Sequence, residues 1–382
     1  MVFADKKNRD VSATELVSRI LSRALARGQS FSLWKMPGKK ETFLILADSV
    51  KYLDDINLEG SETGFAFAPF DPARKKIFVP ADMLYQIENG VLSPRPPAEI
   101  LHDPIPRELA FYQKPKRDES TPNFQQLVQE SITAIEQGQF EKVVPSRFKD
   151  IVVDKLNLVD AFEKLCAKHP QALVSLVSSP ETGTWLGASP ELLVSVTQSK
   201  FKTVALAGTL PYSQDINLKS VAWTQKEIEE QALVCRFIIN CFKKIRLREY
   251  EEHGPKTTVA GNVMHLKTEY EVDMLATNFP QLGSVMLKLL HPTSAVCGMP
   301  MESSIDFLKK QEGYEREYYS GYLGPVNLKT ESHLYVNLRC LQWFSDQVRL
   351  YAGAGVTADS IADQEWSETE MKMDNLRNIL IQ

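Results

Sequence analysis

Cysteine is scarce and scattered in this chain. Five cysteines occur in 382 residues, at Cys166, Cys235, Cys241, Cys297 and Cys340, and none form a C-x-x-C pair. An odd set in apolar settings such as QALVCRF and VNLRCLQW argues against a disulfide framework. It points to buried free thiols in a reducing compartment. No Cys/His metal spacing, G-x-S-x-G or P-loop occurs, so those motif-borne chemistries have no support. Basic charge is not in excess: the net charge is −5, which gives nucleic acid and anionic membranes no basic surface to meet. No apolar run is long enough to span a bilayer, and the start, MVFADKKNRD, lacks an apolar signal region. A soluble cytoplasmic protein is expected. No short repeat or low-complexity tract is present.

What is there is ordinary globular material, 43% hydrophobic and 24% charged, with ample substance for a core. Ser12-Ala13-Thr14-Glu15 reads as a capping box opening a helix with a Val17, Ile20, Leu21, Ala24, Leu25 stripe that ends at Gly28. SFSLWKM, TFLILA and GFAFAPF read as strands. Residues 92–122 are proline-rich and irregular and read as a surface connection. A second helical face runs from Phe124 to Gly138. KVVPSRFKDIVV follows as a strand, and a helix covers about Leu158–Lys168. ALVSLVSS, TWLGASPELLVSV and FKTVALAG then read as strands, before a long helix over roughly Leu218–Lys244. YYSGYLGPV, HLYVNLRCLQWF and VRLYAGAG are later strands. Strands in consecutive groups, with helices between the groups, predict an α+β fold with largely antiparallel sheets.

Several residues stand out chemically, each with a plainer reading beside it. Near the C-terminus, the small-residue turn Tyr351-Ala352-Gly353-Ala354-Gly355 precedes a helix on which Glu365, Glu368 and Lys372 share one face. Two carboxylates and an ammonium there suit a magnesium ion and an anionic substrate, or simply a solvated face. Lys142 opens a strand, as a polar gatekeeper or a general base. Glu191 follows the Ser189-Pro190 turn beside Leu192 and Leu193. There it is an exposed strand-start glutamate or a buried, protonated acid. Of Glu227, Glu229 and Glu230, the last lies nearest the apolar stripe of its helix and suits an inward metal ligand. His265 sits in a strand-like run, and His291 ends a helix, where the dipole favours it. Arg339 centres an apolar strand and needs a carboxylate partner from protein or ligand.

Taken in order, KVVPSR, LGASPELL, ALAGTL, WTQKEIEEQALV, VMHL, LLHPTSAVCG, YEREYYSGYLG, YVNLRC and YAGAGV…EWSETEMKM resemble the chorismate-utilising enzymes, and most closely isochorismate synthases. The resemblance covers about Phe124 to Lys372. It implies an α+β fold of orthogonally packed, largely antiparallel sheets flanked by helical layers. Residues 1–118 would be a divergent part of the same body and 119–382 the chorismate-binding region. It also implies roles. Lys142 matches the base that activates water, and Glu191 the acid that protonates the leaving 4-hydroxyl. Glu230 and Glu368 match Mg2+ ligands, with Glu365 beside them. Arg339, Lys372 and Gly353 would hold the enolpyruvyl carboxylate. Gly208 and Thr209 would line the substrate pocket, His265 would lie next to the reacting ring, and Tyr319 is common to several branches. The chain departs from the common pattern at TQKEIEEQ and at the short LPYSQD segment.

Within the family, Lys142 stands where ammonia-using relatives lack lysine, and Ala207 stands where aminodeoxychorismate synthases carry a nucleophilic lysine. Both favour water as the nucleophile. Ala295 occupies a position that is typically threonine in salicylate synthases, which favours isochorismate as the product. The expected reaction is a magnesium-dependent exchange of the C4 hydroxyl for one at C2, feeding menaquinone or siderophore synthesis. A monomer without a glutaminase partner is expected. Salicylate synthesis, anthranilate-synthase-like work and non-catalytic chorismate binding are the alternatives.

Overall fold

The computed structural model describes residues 12–97, 123–153, 157–344 and 346–380. Twenty strands, all paired antiparallel, form two nine-stranded sheets and one two-stranded piece. Seven α-helices lie among the described residues. The expected boundary at 118/119, and most of the proline-rich segment, lie outside those residues.

The first sheet runs β7-β6-β2-β1-β10-β11-β19-β20-β9. Its strands are β1 (Ser30–Lys35), β2 (Thr42–Ala47), β6 (Met83–Glu88), β7 (Val91–Ser93), β9 (Ser146–Val152), β10 (Leu173–Ser179), β11 (Gly183–Ser189), β19 (Cys340–Trp343) and β20 (Gln347–Gly353). The second runs β14-β15-β13-β12-β18-β17-β4-β5-β3. It holds β3 (Lys51–Leu53), β4 (Gly64–Ala68), β5 (Lys76–Pro80), β12 (Leu192–Thr197), β13 (Lys200–Pro211), β14 (Glu251–Ala260), β15 (Val263–Asp273), β17 (Tyr322–Val326) and β18 (Glu331–Val336). N-terminal strands enter both sheets: β1 pairs with β10, and β4 with β17.

The period of two decides which side chain goes where. In β2, Leu44 and Leu46 face one cluster while Phe43, Ile45 and Ala47 face another. Burial on both faces is why TFLILA reads as a continuous apolar run. The layer between the sheets is aromatic. Trp34 from the first sheet meets Phe65 from the second at 5.0 Å, and Phe67 meets Trp185 at 6.0 Å. The outer face of the first sheet is covered by α1 (Ala13–Ala26), α3 (Leu158–Lys168) and α7 (Ala362–Leu380), through Ile20, Leu21, Phe162, Leu165 and Met373. The outer face of the second is covered by α2 (Phe124–Glu136), α4 (Gln225–Lys244), α5 (Leu282–Leu290) and α6 (Met301–Gln311), through Val128, Val234, Ile238, Met286 and Leu308. Each buried aliphatic of this kind contributes roughly 1.5–3 kcal/mol of transfer free energy.

Local signals explain the helix starts. The Ser12 hydroxyl accepts from Glu15 N at 3.2 Å, while the Glu15 carboxylate turns to Arg19. Asn123 and Asn157 cap α2 and α3 in the same manner. The long helix begins at Gln225, not Leu218. A capping box between Thr224 and Glu227 starts it, and the preceding Leu218–Ser220 is a separate 3-10 turn capped by Asn217.

Three runs that read as single strands are each broken. KVVPSRFKDIVV divides into β8 (Lys142–Val143), which pairs with β16 (Gly298–Met299), and β9 in the first sheet. Pro145, which has no N–H for a ladder, lies at the break. TWLGASPELLVSV leaves the first sheet after Ser189 and enters the second at Leu192. HLYVNLRCLQWF crosses the other way between Val336 and Cys340, and Arg339 sits there with φ +48°. Arg339 is therefore at a sheet crossing, not in the middle of a strand.

Candidate active site

The two sheet crossings, the bulge in β13, the end of β20 and the helices α4 and α7 converge on one cavity. Its walls include Glu191, Gly208, Thr209, Glu230, His265, Ala295, Tyr319, Arg339, Gly353 and Lys372. Ten of the thirteen expected residues thus meet there. Lys142, Glu365 and Glu368 stand just behind, each bonded to a charged neighbour.

Glu191 is 3% exposed. Burial pushes its carboxyl up to about 8, against the opposing pull of the Lys142 ammonium, the Thr293 hydroxyl at 3.5 Å and Lys372. It is therefore mostly protonated at neutral pH, as a proton donor must be. Glu230, on α4, behaves in the opposite sense. Burial alone would raise it, but the Lys142 ammonium at 2.8 Å and the charges of Lys372 and Lys226 hold it below the usual carboxylate range. Its second oxygen accepts from Gly208 N at 3.2 Å. Lys142 itself is completely buried. Gly355 makes room for this pair, because a Cβ there would stand 2.5 Å from Glu230 Oε1 and 3.1 Å from Lys142 Cε.

On α7, Glu368 pairs with Lys372 at 2.5 Å, and Lys372 also donates to the Gly353 carbonyl at 2.9 Å. Glu365 is 1% exposed. Burial, with Glu368 nearby, raises its pKa despite a 2.5 Å contact to Lys226 of α4. Lys226 feels Glu365, Glu368 and Glu230 together, so a positive charge is at home among these three carboxylates. Their hard oxygen donors fit a divalent cation such as Mg2+. Among the described residues, no group of three His, Cys, Asp or Glu side chains is gathered around one point as a ready metal cage. Each glutamate is held by a lysine.

His265 is buried, and burial, followed by the charge of Arg339, lowers its pKa to about 3, so it is neutral. Its Nδ1–H donates to the Gly208 carbonyl at 2.7 Å, which leaves Nε2 to accept from the Arg339 guanidinium at 3.3 Å. Gly208 has φ +70°, at a point where the register of β13 against β15 shifts. Tyr319 stacks on Tyr351 at 5.2 Å, and Tyr351 on Trp185 at 5.4 Å, so one wall is a rigid aromatic stack. His291 lies outside the cavity. Its Nε2 bonds the Pro69 carbonyl at 3.0 Å and burial lowers its pKa to about 4, so it is a neutral packing residue and not a charged helix cap.

Residues 99–381 match the family model described as chorismate binding enzyme. The chain belongs to the chorismate-binding enzymes. Among curated relatives of this family it is 28% identical over 264 residues to isochorismate synthase EntC of Escherichia coli (strain K12). That match covers 67% of this chain and 66% of EntC. It is 28% identical over 319 residues to the vibriobactin-specific isochorismate synthase of Vibrio cholerae, covering 82% and 78%. The fold is that of MenF, the menaquinone-specific isochorismate synthase of Escherichia coli, with a TM-score of 0.71 at 20% identity, covering 94% of this chain and 91% of that one.

Inspection of the sequence missed four contributors to the surroundings of this cavity. Lys226 lies in the run TQKEIEEQ, which looked like a mere departure from pattern. Thr293, two residues from Ala295, reaches Glu191. Glu312 and Arg316 form a buried pair: Arg316 donates to the Val296 and Val144 carbonyls at 2.8 and 2.6 Å, and Glu312 accepts from Ser146 N at 2.8 Å. That pair ties the Pro145 break to the loop bearing Ala295. An Arg in the tyrosine-rich run YEREYY was its only signal. No helix among the described residues is long and apolar enough to cross a membrane.

Proposed function

We propose that this chain is an isochorismate synthase, converting chorismate to isochorismate by adding water at C2 and expelling the C4 hydroxyl. The observation that carries the reading is a buried carboxyl, Glu191, which burial pushes up to about 8, in one cavity with Arg339 and Lys372. The names of the relatives support the same reaction. Glu191 gives its proton to the departing hydroxyl, which leaves as water. Lys142 serves as the base for the incoming water, which loses its proton as it adds at C2. Between these steps a C–O bond forms at C2, the ring double bonds shift, and the C4–O bond breaks. Arg339, Lys372 and Gly353 hold the enolpyruvyl carboxylate, and Gly208, Thr209, His265, Ala295 and Tyr319 shape the pocket. Glu230, Glu365 and Glu368 would hold Mg2+, which when bound supplies positive charge for the ring carboxylate. The N-terminal part completes both sheets, and the chain acts as a cytoplasmic monomer without a glutaminase subunit.

The test is to incubate the purified chain with chorismate and magnesium chloride, with and without EDTA, and resolve products by chromatography. Isochorismate that disappears with EDTA is the expected result. Salicylate with pyruvate would move the activity to salicylate synthesis, and saturable chorismate binding without product would make the chain a binder.

A further inference from the structure

A second cavity, of about 210 Å³, lies on the other side of Arg339 and shares Arg339 and Pro190 with the active site. The end of α3, α7 and the β14–β15 turn enclose it. Two buried polar atoms of its lining residues, His169 Nε2 and Asn375 Nδ2, have no hydrogen-bond partner among the described residues. Buried polar groups are nearly always satisfied, so orphans bordering one cavity mark a place where something polar belongs. Asn375 is 2% exposed. Its Oδ1 accepts from Asn262 N at 3.3 Å, so its other arm must be the NH2 donor. Gly261, with φ +70°, turns tightly beside both. A Cβ there would stand 2.8 Å from Asn375 Oδ1 and 3.0 Å from His169 Cε1. Arg339 uses one N–H on His265 Nε2 and has no further hydrogen-bond partner among the described residues, while a guanidinium offers five.

We propose that this cavity is a second anion site, which takes a small monocarboxylate through Asn375 Nδ2, His169 Nε2–H and the Arg339 guanidinium, with Lys168 at its rim. Every donor in that set points to an anion. The α3 C-terminus, which ends here at Lys168, opposes one through its dipole. A charge-assisted bond to a guanidinium is the stronger effect and outweighs it. A single negative charge matches the one guanidinium that borders the cavity. Because Arg339 also faces the active site, occupancy of the annex is coupled to binding of the carboxylate-bearing substrate, a consequence that rests on the function proposed above.

The test uses pyruvate as the probe and the full chain without chorismate. Isothermal titration at fixed ionic strength, with chloride as the control anion, reads binding directly. Saturable millimolar binding is expected, weakened at least tenfold in Asn375→Leu and in His169→Phe and unchanged in Lys372→Met. His169→Phe decides the matter if Asn375→Leu fails to fold. Binding no stronger than chloride would overturn the proposal. So would binding lost in Lys372→Met but kept in the two annex variants, because the anion would then sit in the active site. Chorismate turnover is measured separately, so failure of the proposed reaction and failure of the annex are told apart.

Discussion

Glu191 and Glu230 are carboxyls in the same cavity wall, yet they titrate in opposite directions. Glu191 is held by a sheet crossing, bonds a hydroxyl at 3.5 Å and feels Lys142 and Lys372 only through space, so burial drives it to about 8. Glu230 is held by a helix and has a lysine at 2.8 Å, so it stays ionised. The difference is not depth but the neighbour. One desolvated carboxyl keeps its proton and can deliver it. The other keeps its charge and can hold a cation. Along the helical side Glu365 and Glu368 also face lysines, yet burial still raises Glu365, so a lysine neighbour does not always prevail.

The largest break in this comparison is Glu191→Gln. Turnover should fall about 10²–10⁴-fold, typical for loss of a general acid, with an unchanged circular dichroism spectrum; near-normal kcat would remove Glu191 from the chemistry. The wild-type rate should fall as pH rises through about 8, because only the protonated form donates. A carboxyl raised from 4.5 to about 8 on folding binds its proton more tightly in the folded state, so stability declines as pH climbs between those values. Denaturant melts at pH 5 and pH 8 should show that decline shrinking in Glu191→Gln.

Next in size, Lys142→Met removes the partner of Glu230, and about a 10²–10³-fold loss of kcat is expected, measured by product chromatography. Glu368→Gln should weaken the magnesium dependence about tenfold, one lost carboxylate ligand being worth roughly that much. An unchanged magnesium titration would discard that ligand. Gly355→Ala pushes a methyl between Glu230 and Lys142. Roughly tenfold slower turnover with near-normal stability is expected, since small misplacements at a site are costly. The smallest effect is Thr293→Val. The Thr293 hydroxyl favours the ionised form of Glu191, so its loss should move the alkaline limb of the rate profile upward by under about half a pH unit. A downward shift would contradict the assigned contact.

Much of the architecture was legible, because buried strands such as TFLILA and capped helices such as those after Ser12 and Asn123 carry local signals. The strand breaks were not. The Ser189-Pro190 turn was visible, but not that it carries the chain from one sheet to the other, and apolar residues flank Pro145 and Arg339 so closely that neither break shows in the hydrophobic pattern. The family motifs named ten residues that border one cavity, but they could not reveal Lys226. Its partner Glu365 is 139 residues away, and such a contact exists only once α4 and α7 have packed. Thr293 and the Glu312–Arg316 pair escaped for the same reason.

The crossings also have a mechanical consequence. Glu191 and Arg339 lie in the segments that pass from one nine-stranded sheet to the other, so the distance between proton donor and guanidinium is set by how the sheets are seated. A ligand gripped by both would act as a rivet across the sandwich. Amide exchange should then slow on binding in β12 and β19 together, far beyond the residues in contact, and the enzyme would lose its grip as a whole once the two sheets breathe apart.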